Sequence, residues 1–162
     1  MLGLSPFHSR AYARRPLPRL GALVFAVLGA VPLLGLLVFN RIDARGRPTD
    51  AGDETALVAW AAGLALLGAA FGYRIGVQAV AGQARRVIAL TLLFPPTAIA
   101  VLTTAAGLWA AVHATGPRSP DPAEAALTVF LYLTFYALVP AWMAAGLAAK
   151  ELYVRARRGT AA

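Results

Sequence analysis

The sequence lacks cysteine altogether and has few charged residues. Without cysteine, the chain has no disulfide, no thiolate metal ligand and no thiol nucleophile. Charged residues make up 14% of the 162 residues, whereas a typical soluble domain carries about 25%. Lysine is also scarce, since Lys150 is the one lysine among fifteen basic residues. Arginine in place of lysine, with abundant alanine and glycine, favours a GC-rich bacterial genome as the source.

Charge is missing from four long stretches of the chain. They contain 21, 19, 31 and 25 residues and cover positions 20–40, 55–73, 87–117 and 125–149. A helix that crosses the hydrocarbon core needs about 20 apolar residues. Strands of a membrane barrel are shorter and alternate, and the buried helices of a soluble protein would keep a polar face. The pattern predicts an all-α membrane protein with four transmembrane helices, at about 20–40, 55–76, 92–113 and 125–149.

The basic residues are distributed unevenly between the connections. Residues 1–19, the second connection and residues 150–162 carry eleven of the fifteen basic residues, whereas the other two loops carry six of the seven acidic ones. Short cytoplasmic loops have an excess of Lys and Arg. We therefore expect an antiparallel bundle (residues 20–149) in the cytoplasmic (inner) membrane of a bacterium. Its basic arm (1–19) and basic tail (150–162) would both lie in the cytoplasm.

The net charge of +8 indicates which kinds of partner the chain can bind. Because the charge flanks the apolar stretches, it favours contact with the lipid bilayer and its anionic head groups and argues against nucleic acid. Basic residues precede the first stretch, as in a signal peptide. That stretch is longer than the about 7–15 apolar residues of a signal sequence, so we expect it to be retained as a membrane helix.

Two rows of small residues predict close helix packing. Each row is spaced to share one helix face: Gly68, Gly72 and Gly76 form the first, and Ala137, Ala141 and Ala145 the second. Helices in lipid associate where small residues let their backbones approach. The spacing leaves open whether the partner helix belongs to this chain, to another copy or to a different membrane protein.

Proline interrupts three of the apolar stretches, at Pro32, Pro95, Pro96 and Pro140. Each proline removes a helix hydrogen bond and favours a kink. As a single helix the third stretch would be about 46 Å long, against a hydrocarbon core of about 30 Å. We therefore expect residues 87–94 to lie at the inner interface and the membrane span to begin at Pro95, since proline suits a first helical turn. The alternative is a span broken at the prolines, with free backbone groups that would bind an ion or solute.

Two tyrosines accompany the proline of the fourth stretch at four-residue spacing. Tyr136 falls near the middle of that stretch, and a phenol inside lipid favours a hydrogen-bond partner. We therefore expect Tyr136 to face another helix. The candidate intramembrane polar and kink site consists of Tyr132, Tyr136, Pro140, Pro95, Pro96 and Pro32.

Several kinds of chemistry lack the residues that they need. The four stretches contain no Asp, Glu, Lys or Arg, which argues against proton- or ion-coupled transport. Haem and metal sites need several ligands, but His113 is the only histidine near a span. The sequence has no Gly-rich phosphate loop with a lysine. We therefore expect no catalytic residue, no cofactor and no metal ion.

Three classes of function remain open. The features favour a non-catalytic accessory or structural subunit that docks in a larger membrane complex through its small-residue faces. One alternative is a homo-oligomeric small channel or carrier for an uncharged solute. A second is a membrane enzyme acting on a lipid-type substrate, whose catalytic groups would come from loop residues such as Arg45, Asp50, Asp53 and His113.

Overall fold

The chain is helical almost throughout residues 16–43, 51–113 and 121–161, which the computed structural model describes. Its elements are α1 (Pro16–Asp43), α2 (Ala51–Val80), α3 (Ala84–Val112), α4 (Pro122–Tyr132), a π-helical segment (Leu133–Ala137) and α5 (Leu138–Ala161). We call α4, the π segment and α5 together the fourth helix. Four helices are long and apolar enough to cross a membrane, which confirms the prediction of an all-helical chain with four helices of that length and composition. Most of the basic arm (1–15) and the loops 44–50 and 114–120 lie outside the described residues.

Helices α1 and α2 form a hairpin in which the two backbones touch. Gly72 lies against the carbonyl group of Gly21, and Gly68 lies against the carbonyl group of Phe25. At the next turn of α2, a Cβ on Gly76 would come within 2.6 Å of Pro18 Cα. Larger side chains at these positions would hold the helices apart, so glycine permits the contact.

A tight turn at Gly82 reverses the chain between α2 and α3. The amide of Gln83 donates to the carbonyl of Gln78 at 3.0 Å, and the amide of Gly82 donates to that of Ala79 at 3.1 Å. This pair of bonds is the Schellman motif that ends many helices. It needs a left-handed residue, and Gly82 has φ of 71°, which glycine adopts without steric penalty.

Helix α3 runs without a break through Pro95 and Pro96. The alternative of a helix broken at the prolines is therefore wrong, whereas the start of the membrane span at Pro95 stays a prediction. Pro96 has no N–H to offer the carbonyl of Leu92, four residues earlier. The indole Nε1 of Trp142 on α5 donates to that carbonyl at 3.0 Å. A neighbouring helix thus supplies the donor, which is one way membrane helices tolerate proline.

One core cluster joins all four helices at the end of the molecule where the basic residues concentrate. Phe25 of α1 and Ile75 of α2 are completely buried there. The Phe25 ring meets the ring of Phe94 on α3 edge-on, with centroids 5.4 Å apart. From α5 the cluster takes Ala145, Ala149, Leu152 and Ala156. We call this end the arginine-rich end; its described basic residues are Arg19, Arg74, Arg85, Arg86, Lys150, Arg155, Arg157 and Arg158.

The fourth helix is packed unevenly along its length. Residues 121–144 include no buried residue, whereas burial begins at Ala145 and recurs along α5 to Ala156. A second, smaller cluster lies farther from the arginine-rich end. Its buried members come from α1, α2 and α3 alone: Leu33, Ala61, Leu64 and Leu102. The first half of the fourth helix packs on α3, where a Cβ on Gly107 would come 3.3 Å from Ala126 Cβ, and Val129 and Leu133 contact the second cluster, but none of its residues is buried.

Candidate functional site

A cleft of about 510 Å³ lies between the first half of the fourth helix and helices α1, α2 and α3. Fifteen described residues line it, and none of them is charged. The phenol of Tyr132 is the one polar side chain among them. Such a lining can hold an apolar molecule or apolar side chains, but it contains no nucleophile and no general acid or base other than the phenol.

Three irregularities in helix geometry meet at this cleft. Pro32 of α1 and Pro95 of α3 both line it, as do Leu133 and Ala137 of the π segment. Neither proline has an N–H for the carbonyl four residues earlier, so each leaves one backbone acceptor without its helical partner. In the π segment, the amide of Leu138 donates to the carbonyl of Leu133, five residues back. Single π turns of this kind occur frequently at functional sites.

The π segment also explains why the fourth helix stays continuous near Pro140. A proline ring clashes with the carbonyl four residues before it in a regular α-helix. For Pro140 that carbonyl belongs to Tyr136, which lies within the π segment. The wider turn gives room at that place, and the backbone continues into α5.

The cleft brings together only some of the predicted polar and kink site. Pro32, Pro95 and Tyr132 line it, whereas Pro96 and Pro140 are exposed and are not part of it. Tyr136 is 71% exposed. Within the described part of this chain Tyr136 therefore faces no other helix, and its contact with a helix of another protein stays a prediction.

The fourth helix turns another row of side chains toward the cleft. Beside Tyr132, its lining residues are Leu133, Ala137 and Ala141, which are spaced by four. Tyr136 points outward, and its ring lies 5.0 Å from that of Tyr132.

The two predicted rows of small residues have different surroundings. Gly68, Gly72 and Gly76 lie against α1 of the same chain, so this row serves the α1–α2 hairpin. In the alanine row, Ala145 is buried in the core. Ala137 and Ala141 are partly exposed and line the cleft.

Sequence reasoning missed the hydrogen bond between Trp142 and the Leu92 carbonyl. A proline inside an apolar helix leaves an acceptor that lipid cannot satisfy, so a donor on a neighbouring helix is to be expected. Tryptophan carries an N–H on a mainly apolar side chain. The pair Pro96 and Trp142 could have been proposed on that ground, although the sequence alone does not place them side by side.

An aromatic group lies at the end of the bundle opposite the arginine-rich end. The ring of His113 stacks on Trp109 with centroids 3.7 Å apart, and its Nδ1 is 3.0 Å from the Trp109 carbonyl oxygen. Trp60 meets Trp109 edge-on at 6.3 Å.

Among the described residues, no three His, Asp or Glu side chains come together as a metal site. Of the other residues named for an enzyme, Arg45, Asp50 and the side chain of Asp53 lie outside the described part.

Comparisons of the chain with protein-family models, curated proteins and solved structures give no match. The features of the molecule that bear on its function are the cleft, the fourth helix and the distribution of charge.

Proposed function

We propose that this protein is a non-catalytic accessory subunit of a bacterial inner membrane, which docks against another integral membrane protein through the first half of its fourth helix. The observation that carries the proposal is that residues 121–144 contain no buried residue and lie over an open apolar cleft. In this proposal, side chains of the partner cover the exposed face and enter the cleft.

The packing of the chain supports an outside occupant for the cleft. Protein interiors are packed about as densely as organic crystals, and a cleft of about 510 Å³ lies well outside that norm. Gly35 lines it and has nothing within 4 Å of the position that a Cβ would take. Helical glycine is about 1 kcal/mol less favourable than alanine. A partner backbone passing close to Gly35 would give this glycine a packing role.

Photo-crosslinking in intact membranes tests the docking. A benzoylphenylalanine at Phe135, which is 76% exposed on the π segment, should form an adduct with one other membrane protein. The matched control is Leu66 on α2, which is 74% exposed. The same photoreactive residue at Leu66 should give lipid adducts only. Equal protein adducts at both positions, or none at Phe135, would contradict the proposal.

A second function is favoured by the cleft itself, which joins Pro32, Pro95 and the Tyr132 phenol. Several copies of the chain would form a channel or carrier for an uncharged solute. Because the chain lacks cysteine, one introduced thiol is a unique probe. A solute path predicts that Ala141→Cys, in the cleft, reacts with a polar thiol reagent in liposomes faster than Phe135→Cys. Equal or absent reaction would rule the path out.

The orientation that we propose places both termini in the cytoplasm. Its support is the charge pattern, because eleven of the fifteen basic residues flank the helix ends assigned to that side. A green fluorescent protein fused to the C-terminus should fluoresce, and alkaline phosphatase fused there should be inactive. Active phosphatase at the C-terminus would reverse the assignment.

A further inference from the structure

A small groove of about 250 Å³ opens between α2 and α3 at the arginine-rich end. Its lining consists of Arg74 and Gln78 from α2 and of Arg86, Ala89 and Leu90 from α3. Both arginine side chains belong to exposed residues. The groove thus combines two cations and one amide with a short apolar floor.

The turn at Gly82 creates this arrangement. It folds α3 back along α2, so that Arg74 and Arg86 come from facing helices and line one groove. No acidic residue lines the groove. Glu151 and Arg155, which form an ion pair at 2.7 Å, both lie on α5 and do not line the groove. The two guanidinium groups therefore retain their positive charge without a carboxylate to neutralise it.

The position of the groove along the chain indicates where its ligand lies. Arg74 is the first charged residue after the uncharged stretch 55–73, and Arg86 is the last one before the uncharged stretch 87–117. If these stretches cross the bilayer, both arginines lie at the level of the lipid phosphates. Ala89 and Leu90 extend the groove toward the membrane interior, where acyl chains begin.

We propose that this groove binds the phosphate group of one anionic phospholipid. Guanidinium groups match phosphate oxygens in geometry and charge and form paired hydrogen bonds with them. The Gln78 amide adds a further donor. The glycerol and the first part of an acyl chain would then lie along Ala89 and Leu90. This inference needs the helices to span a bilayer, but it does not need the docking partner.

Native mass spectrometry of the full chain, released from detergent, tests the site. At equal concentrations of dioleoylphosphatidylglycerol and dioleoylphosphatidylcholine, we expect one bound phosphatidylglycerol per chain in preference to phosphatidylcholine. A basic residue near an anionic surface contributes about fivefold in affinity. The double variant Arg74→Gln/Arg86→Gln should therefore retain phosphatidylglycerol about 30-fold less well than the wild type.

The matched control removes two charges from the same end of the molecule. Arg85 and Arg158 are exposed and do not line the groove, so Arg85→Gln with Arg158→Gln should leave retention nearly unchanged. Arg86→Lys keeps the charge but loses the paired hydrogen bonds of a guanidinium group. Its retention of phosphatidylglycerol should lie between that of the wild type and that of Arg86→Gln. An equal loss in the control pair, or equal binding of phosphatidylcholine, would overturn the proposal.

A competition experiment distinguishes a bound lipid from a bound soluble phosphate. Inorganic phosphate or glycerol 3-phosphate at the same concentration should not displace the lipid. If either one binds the wild type as tightly as phosphatidylglycerol, the lipid proposal is wrong. Should the double variant fail to fold, salt dependence in the wild type replaces it. Retention of phosphatidylglycerol should drop at 1 M NaCl, where charges are screened within about 3 Å, and unchanged retention would refute the site.

Discussion

Replacing Gly72 with alanine adds one methyl group at the closest contact of the α1–α2 hairpin. The new Cβ would lie 2.6 Å from the carbonyl carbon of Gly21 and 2.7 Å from Cβ of Phe25, and nearer still to the Gly21 oxygen. Ordinary contacts between carbon atoms are about 3.5–4.0 Å. The obstacles are backbone and a Cβ, which cannot rotate away. The two helices must therefore separate by about 1 Å.

The expected loss of stability follows from two opposing terms. Overpacking a tight contact destabilises by about 1–3 kcal/mol. Alanine is a better helix former than glycine by about 1 kcal/mol, which offsets part of that loss. Rigid helices move as units, so separation at Gly72 also weakens the contacts of Gly68 and Gly76 with α1. We expect the upper part of the range to apply and a net loss of about 2 kcal/mol.

The matched control lies on the same helix. Gly63 has nothing within 4 Å of its Cβ position, so Gly63→Ala should be neutral or stabilising by up to about 1 kcal/mol. Unfolding in mixed micelles of mild detergent and SDS, followed by far-UV circular dichroism, measures both variants. If Gly72→Ala resists SDS as well as Gly63→Ala does, the two backbones are not in contact at Gly72, and the account of the hairpin fails.

Two further substitutions test single hydrogen bonds by the same unfolding measurement. Trp142→Phe removes the donor to the Leu92 carbonyl and should destabilise by about 1 kcal/mol. Pro96→Ala restores an amide N–H to that carbonyl, so Trp142→Phe should be less harmful in its background; the same loss in both backgrounds would argue against the bond. Asp121, whose carboxylate accepts from the Ala123 amide at 3.0 Å, caps α4. Asp121→Ala should cost about 1 kcal/mol and Asp121→Asn only part of it, whereas equal losses would show that the cap is not the cause.

The absence of charged residues from four stretches of about 20 residues or more was enough to predict the four helices. A helix in lipid must be both long enough to cross the hydrocarbon core and nearly free of charge. The cap at Asp121, followed by Pro122 at the first helical position, also follows from known preferences and is present in the structure. The glycine row predicted a close helix contact, but the spacing contains no information about which helix the row meets. That partner depends on the turns and loops, which decide the helix neighbours.

The candidate site was less predictable because it depends on departures from regular helix geometry. Four-residue spacing groups Ala137 with Ala141, which both line the cleft, but it does not say that Tyr136 points away from the cleft. The donor to the Leu92 carbonyl of α3 is Trp142, which lies 50 residues away in sequence. Neither the π turn nor this long-range donor has a local pattern in the sequence.

The two halves of the fourth helix differ in packing, and the residues at their junction separate the two. Beyond Ala145, α5 is anchored in the core of the arginine-rich end. Trp142 fixes α5 to α3 just before that point through a carbonyl that proline has freed. In the residues before Trp142, Pro140 has no N–H to donate, and the π segment bonds to the carbonyl five residues back instead of four. If a partner docks as proposed, we expect the first half, which has no buried residue, to adjust to it while the core stays packed.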